Sequence, residues 1–261
     1  MAEIQTAFDG MSTDYDKSFS NTYLGEYYRD RTHDVMERYW STPSNLLEIN
    51  AGTGEDAIFL AQRGHHVHAT DISSKMLEQL SRKAVELKLE AHVSFQTLPI
   101  EAIDSLPEAH YDGLLSNFGG LNCVHDLSTF AKNAHYLVKP GAVVILCVMG
   151  PWVPWEWSWY SMHGDMKSAF RRVSGKTQWR DSHIYYPSLR TLKKTMAQAS
   201  FRCLHTEALG VLMPPSYVNS VAESYRGIFD YAAQIENRIA RLPGMANLSD
   251  HYLLAFEKFE T

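Results

Sequence analysis

A chain of 261 residues, 45% apolar and 21% charged, can bury a substantial core and has the composition of an ordinary soluble enzyme. Its formal charge of -6 argues against a nucleic-acid partner, which needs a basic face. Cys123, Cys147 and Cys203 are odd in number and widely spaced, so they suit core filling in a reducing compartment better than disulfides or a paired-cysteine metal site.

The opening Met1-Ala2-Glu3-Ile4-Gln5 lacks the basic-then-apolar order of a secretion signal. The longest apolar run, Ala142 to Gly150, is far too short to span a bilayer. A cytoplasmic protein with no membrane partner is the expectation. Residues 1–44 are polar and aromatic by turns, and a helix is predicted from Tyr23 to Tyr39 ahead of the loop Ser41-Thr42-Pro43-Ser44. A strand follows from Asn45 to Ile49, then a helix from Glu55 to Arg63 that Gly64 closes. A second strand, His66 to Thr70, leads to a helix from Ser74 to Leu87 with Met76, Leu77 and Leu80 on its apolar face.

The next strands are predicted over His92 to Thr97 and Tyr111 to Asn117, with a helix from Leu127 to Leu137 after them. The turn Lys139-Pro140-Gly141 introduces Ala142 to Met149, apolar throughout like a central parallel strand covered on both faces. Residues 151–186 break the rhythm with Trp152, Trp155, Trp157, Trp159 and Trp179, and read as an aromatic cap without sheet-and-helix regularity. A helix from Ser188 to Ala199 and a strand from Arg202 to Leu209 resume it. Residues 213–248 form a second insertion, helical from Val218 to about Leu242, before a last strand from Tyr252 to Phe259. The alternation predicts an α/β domain, a three-layer sandwich around a doubly wound sheet, with two insertions and a helical N-terminal segment (1–44) over the site.

The stretch Asn50-Ala51-Gly52-Thr53-Gly54 is a glycine turn between strand and helix, and Asp71 closes the following strand. Strand, turn, helix, strand and terminal carboxylate together form a nucleotide-cofactor site, with Asp71 placed to accept ribose hydroxyl protons. The pattern Gly52-Thr53-Gly54-Glu55-Asp56-Ala57 also fits a dinucleotide fingerprint, so a nicotinamide-dependent oxidoreductase is one reading. Two features favour S-adenosylmethionine. Glu48 stands just ahead of the turn, where a carboxylate would repel a pyrophosphate but not an ammonium or sulfonium. The chain after Gly141 also has no second mononucleotide-binding half.

At these residues the chain resembles the class I S-adenosylmethionine-dependent methyltransferases. The resemblance rests on Glu48-Ile49-Asn50-Ala51-Gly52-Thr53-Gly54, Asp71, Asp112-Gly113-Leu114-Leu115-Ser116-Asn117 and Leu137-Val138-Lys139-Pro140-Gly141-Ala142, and covers roughly residues 45–150. It implies a seven-stranded, mostly parallel sheet with an antiparallel last strand, and S-adenosylmethionine as cofactor with S-adenosylhomocysteine as product. By position it implies that Glu48 sets the turn, with Asn50 and Ala51 inside it, and that Gly52 and Gly54 face the methionine portion. It places Asp71 on the ribose and Ile72 and Met76 against the adenine. Thr97 or Leu98 would meet the adenine through backbone, since Gln96-Thr97-Leu98-Pro99 lacks an acid there. Asn117 and Phe118 fall at the sulfonium end, and Tyr15 closes over the cofactor. Asn50 stands in place of the family's first glycine, a position its tolerance of left-handed backbone allows.

The methyl acceptor is expected to be an oxygen or nitrogen of a small, partly apolar metabolite. Trp152, Trp155, Glu156 and Trp159 follow the carboxyl end of the fifth strand, the edge where such sheets bind ligands, and with Tyr23 and His125 are the candidate acceptor residues. Glu156 among these rings could anchor a cationic acceptor. His163, His183 and Tyr185 are candidate catalytic residues, the histidines because they titrate near neutrality. His66 and His68 share a strand face, but methyl transfer requires no metal and none is expected. A cyclase or a cofactor-binding regulator on the same fold remains an alternative, and the chain could be a monomer or a homodimer.

Overall fold

The computed structural model describes residues 2–180 and 182–259. Helices α1 (Ala2–Met11) and α2 (Tyr23–Tyr39), with a π-helical turn over Asp16–Ser20 between them, precede strand β1 (Asn45–Ile49). Then come α3 (Glu55–Ala61), β2 (His66–Asp71), α4 (Ser74–Glu86), β3 (Val93–Thr97), β4 (Tyr111–Ser116), α5 (Leu127–Leu137) and β5 (Val138–Met149). The first insertion holds α6 (Pro154–Met162), α7 (Met166–Ala169), β6 (Lys176–Trp179) and β7 (Ser182–Tyr185). After it come α8 (Leu189–Gln198), β8 (Phe201–Leu209), α9 (Asn219–Ser224), α10 (Arg226–Ile239) and β9 (His251–Lys258).

Seven strands make one sheet in the order β3-β2-β1-β4-β5-β9-β8. Strands β1 to β5 are mutually parallel, and β9 runs antiparallel between β5 and β8. Alternation along the central strands sends Leu47, Ile49, Leu114, Val144 and Leu146 into one buried layer and Leu46, Leu115, Ile145 and Cys147 into the other. Strand order reverses at β1 and β4, which opens a crevice at their carboxyl ends.

Three expectations change. The turn expected at Lys139-Pro140-Gly141 is a bulge inside β5: pairing with β4 jumps from Tyr111↔Val138 to Gly113↔Val143. The first insertion is regular, two helices and an antiparallel hairpin. In the second, Tyr225 breaks the expected helix into α9 and α10. That insertion docks through Glu236 of α10, whose buried carboxylate accepts the N–H groups of Gly210, Leu212 and Met213 at 2.7, 2.7 and 2.8 Å. Of the cysteines, Cys147 fills the core but Cys203 is exposed. Among the described residues no helix is long and apolar enough to cross a membrane.

Candidate functional site

The carboxyl ends of β1, β2 and β4 open on a cavity of about 1010 Å³, closed on the far side by the first insertion. Its inner wall is the glycine turn. Asn50, Gly52 and Gly54 all have left-handed backbone, with φ of 57°, 55° and 79°. Gly52 lines the cavity, and a Cβ there would meet nothing within 4 Å. Gly54 serves a different end: a Cβ on it would strike the Leu80 side chain, so its smallness seats α3 against α4. Gly54 does not line the cavity, which corrects its expected place against the methionine portion; Ala51 and Thr53 do line it.

Asp71 ties the turn to β2. Gly52 N–H donates to its Oδ2 over 2.9 Å, and Ser73 N–H to its Oδ1 over 2.8 Å. Burial pushes the Asp71 carboxyl up, and these two N–H groups oppose that. Each oxygen keeps lone-pair capacity for a further donor from the cavity.

Beneath the turn, α2 supplies a buried polar floor. Asp56 of α3 accepts from Arg29 at 2.7 Å and from Asn117 Nδ2 at 2.9 Å, and its Oδ1 lies 2.8 Å from His33 Nε2. Burial alone would raise the Asp56 carboxyl, but the Arg29 guanidinium and the His33 ring overcome it and hold the group well below the ordinary range. At Glu48 burial, and the charge of Asp56, push the carboxyl well above the ordinary range; the Arg29 guanidinium also pulls it down, but is outweighed. Three buried atoms here lack hydrogen-bond partners among the described residues: Glu48 Oε2, Asn50 Oδ1 and Arg29 Nε. All three residues line the cavity, so this floor presents both acceptors and a donor, the chemistry that would meet an α-amino acid head group. From the sequence, Arg29 and Arg31 fit a substrate carboxylate or a surface helix equally well; nothing in the neighbourhood of Arg29 marks it as buried.

Ile72, Met76, Asn117 and Phe118 line the cavity at its two ends. Phe118 has φ 44°, and the Arg29 guanidinium lies 5.1 Å from its ring centre. Thr97 and Leu98 do not line it. Leu98 N–H is spent on Asp71 O and its side chain packs into the core, so the wall passes to Pro99, Ile100 and Glu101. Glu101, in the helical turn after Pro99, brings a carboxylate to this part of the wall. Cys123 also lines the cavity, where burial pushes its thiol up to about 11 and keeps it protonated.

The N-terminal segment covers the turn. Thr53 Oγ1 donates to Asp16 Oδ1 at 2.6 Å, Lys83 pairs with Asp16 at 2.7 Å, and Ser73 Oγ donates to Asp9 Oδ1 at 2.5 Å. Tyr15 and Phe8 line the cavity. Tyr23 does not: its hydroxyl donates to Asp230 at 2.7 Å on the outer side of α2, under Arg226.

The expected tryptophan wall lies elsewhere. Tryptophans two residues apart share a face on a strand, but this segment is the helix α6, where that spacing scatters them around the axis. Trp152 is exposed, and Trp155 turns outward to donate to Leu212 O at 2.7 Å and pack on Phe229. Trp159 packs at a tilt against His163, whose Nδ1 lies 2.7 Å from Trp159 O, and neither lines the cavity. Glu156 is buried and does not line the cavity; its Oε1 accepts from Arg171 at 2.5 Å, Arg172 at 2.8 Å and Tyr217 at 3.2 Å, and Arg172 continues to Asp250 at 2.7 Å. It is not available to a cationic acceptor.

The hairpin and α7 form the outer wall instead. Ile184 and Tyr186 face the cavity, so period-two alternation turns His183 and Tyr185 the other way, and His125 packs edge-on to Tyr185. Thr177 and Trp179 share the face of Ile184 and, with Lys167 of α7, complete this wall, while Lys176, opposite Tyr185 in the hairpin, lies at its edge. No histidine among the described residues lines the cavity. His66 stacks on His92, His68 lies 2.9 Å from Ser94 Oγ, and among the described residues no group of three or more potential ligands could hold a metal ion.

Residues 46–141 match the family model described as a methyltransferase domain. The chain is 31% identical over 103 residues to the ubiquinone/menaquinone biosynthesis C-methyltransferase of Rickettsia bellii, covering 37% of this chain and 41% of that protein. It is 26% identical over 211 residues to the protein of the same name from Geotalea daltonii, covering 77% and 88%. The chain thus spans about two fifths of the length of the first relatives it matches. In fold it is similar to the [4+2]-cyclase SpnF, with a TM-score of 0.70 at 14% identity, covering 99% of this chain and 96% of that one. It is also similar to the Burkholderia thailandensis 1,6-didemethyltoxoflavin-N1-methyltransferase solved with 1,6-didemethyltoxoflavin and S-adenosylhomocysteine. That likeness has a TM-score of 0.64 at 15% identity and covers 99% and 88%. At such identities these likenesses concern the fold.

Proposed function

We propose that this chain, a member of the class I S-adenosylmethionine-dependent methyltransferase superfamily, moves a methyl group from S-adenosylmethionine to a small acceptor held under its first insertion. The observation that carries the reading is the Gly52–Asp71 hydrogen bond at the inner wall of the cavity, inside the segment matching the methyltransferase domain. A carboxylate so fixed suits a ribose diol, and Ile72 and Met76 beside it suit an adenine face. Arg29, Asn50 and Glu48 suit the carboxylate and ammonium of the methionine portion, with Asn117 and Phe118 near the sulfur.

The cofactor supplies a methyl group already activated on a sulfonium. The residues of this chain then have three tasks: alignment, exclusion of water, and presentation of a nucleophile. Asp71 and the turn fix the donor's position. The N-terminal segment, tied down at Asp9 and Asp16, covers the turn from solvent. With no histidine lining the cavity among the described residues, the reading is best served by an acceptor atom that arrives ready to react. A neutral amine, an ionised oxygen, or the carbon of an enolate-like anion meets that requirement. Relatives named as C-methyltransferases make the carbon case worth including beside oxygen and nitrogen.

Calorimetry with S-adenosylmethionine, S-adenosylhomocysteine and NADH tests the cofactor, and release of S-adenosylhomocysteine in the presence of acceptors tests the reaction. Binding of the first two but not NADH is the expected result. Tight S-adenosylmethionine binding with no turnover across amine, phenol and enol acceptors would favour a cyclase-like or regulatory role instead.

A further inference from the structure

Resting on the methyl-transfer reading, we infer that the acceptor carries an unprotonated oxygen of carbonyl, enolate or phenolate type, and that Tyr186 with Thr177 grips it in the outer half of the cavity. Both residues line the cavity, on the hairpin face that also carries Ile184. Tyr186 Oη and Thr177 Oγ1 lie 3.0 Å apart. Two hydroxyl groups hold two protons and spend one on the bond between them. Neither hydroxyl has another hydrogen-bond partner among the described residues, so the pair keeps one O–H to give to a ligand.

Tyr186 is held firmly for such a task. The carbonyl before it, Tyr185 O, accepts from Asn122 Nδ2 at 2.6 Å, and the carbonyl after it, Pro187 O, accepts from the Tyr252 hydroxyl at 2.9 Å. Asn122 stands in the helical turn after β4 and also bonds Met149 at the end of β5, while Tyr252 belongs to β9. The Tyr186 ring packs 5.3 Å from the guanidinium carbon of Arg172, itself buried and fixed by Glu156 and Asp250. This residue of the insertion is thereby registered to the sheet edge that opens on the cavity, as a group that orients a substrate must be. Packing needs only the ring. A hydroxyl on this buried side chain, in a wall shared with Ile184 and Trp179, is costly unless it finds partners. With a carbonyl bound, the phenol, the more acidic of the two, donates to it while Thr177 donates to the phenol oxygen and strengthens that bond. The same contact favours the ionised form of an enol or phenol acceptor, which lightens the work of a base.

The test titrates 2-acetylnaphthalene and its isostere 2-isopropenylnaphthalene, where a methylene replaces the carbonyl oxygen, with and without saturating S-adenosylhomocysteine. The ketone-to-alkene affinity ratio should fall about three- to tenfold in Tyr186→Phe, the range of one neutral hydrogen bond. It should fall by less in Thr177→Val, and no further in the double variant than in Tyr186→Phe alone, because the two hydroxyls act as one unit. Alkene and S-adenosylhomocysteine affinities should not change. Tyr186→Phe keeps its ring on Arg172 and Thr177→Val keeps its shape, so both should fold as the parent does. The carbonyl stretching band of the bound ketone should lie lower in the parent than in Tyr186→Phe, a shift that a purely structural tyrosine does not produce. An unchanged ratio, coincident bands, equal loss of ketone and alkene affinity, or no binding of the ketone to the parent would overturn the inference. Failure to bind S-adenosylhomocysteine would sink the cofactor reading separately, since the titrations without it still report the contact to oxygen.

Discussion

Gly52 N–H donates to Asp71 Oδ2 over 2.9 Å, so the carboxylate that ends β2 holds the turn that ends β1. The same carboxylate is proposed to accept from the ribose, and it can do both because each oxygen has a second lone pair. Asp71→Ala should weaken S-adenosylhomocysteine binding by about 1–3 kcal/mol through lost charge-assisted bonds. The N–H groups of Gly52 and Ser73 would also lose their acceptor. Calorimetry beside a urea melt separates the two effects. A variant that melts lower yet binds as well would show the carboxylate to be purely structural.

The two glycines of the turn should fail in different assays. Gly54→Ala places a methyl group against Leu80 at φ 79°, and should cost about 2–4 kcal/mol of stability from left-handed strain and overpacking. Gly52→Ala adds its Cβ to open space, so only the backbone term of about 1–2 kcal/mol falls on stability. Its main effect should be on cofactor affinity, because that methyl stands in the cavity. Denaturation midpoints and S-adenosylhomocysteine Kd values for both variants check the contrast.

Most of the fold was legible because local signals and sheet order agree. Tyr23–Tyr39, Asn45–Ile49 and Leu127–Leu137 fall where periodicity and turn residues put them. What failed was residue-level direction in the first insertion. Tryptophans spaced by two imply one shared face only on a strand, and Pro154 starts a helix there. The residues that line the cavity there, such as Lys167, Trp179 and Ile184, belong to a short helix and a hairpin whose facing depends on how the insertion docks. That docking runs through Glu156, Arg172 and Asp250, which are 94 residues apart at their extremes and carry no local mark. The burial of Arg29 was hidden for the same reason: its partner Asp56 lies on another helix.

Trp155 and Trp179 should therefore exchange the roles their sequence positions suggest. Trp155→Ala removes packing on Phe229 and the hydrogen bond to Leu212 O, and should cost about 3 kcal/mol of stability, the low end for tryptophan truncation because the ring is half-buried. Trp179→Ala should leave stability within about 1 kcal/mol and raise the acceptor KM several-fold. Thermal melts and acceptor titrations at saturating S-adenosylmethionine read both. A larger KM effect from Trp155→Ala would place the acceptor behind α6 rather than against the hairpin.

Glu48 and Asp56 should give stability opposite dependences on pH. Burial and the Asp56 charge raise the Glu48 carboxyl, so the folded protein binds a proton there that the unfolded chain releases near the ordinary value of about 4.3. The Glu48 contribution is fully present below that value and is lost as pH rises toward the raised folded value. Glu48→Gln is neutral throughout, so its stability relative to the parent should improve as pH rises above about 5. Asp56 works the other way. Burial would raise it, but Arg29 and His33 hold it low, so its contribution is present above the unfolded value of about 3.9 and is lost as pH falls through the depressed folded one. Asp56→Asn leaves the Arg29 guanidinium buried without its counter-charge and should cost about 3–5 kcal/mol at neutral pH. That deficit should narrow below about pH 4, as the unfolded parent takes up a proton at Asp56 that the folded protein does not. Urea midpoints of parent and both variants across this range decide the matter. Parallel curves for Glu48→Gln and the parent would mean that Glu48 is ionised in the folded protein, and that the ammonium it is proposed to meet finds a standing charge rather than one formed on binding.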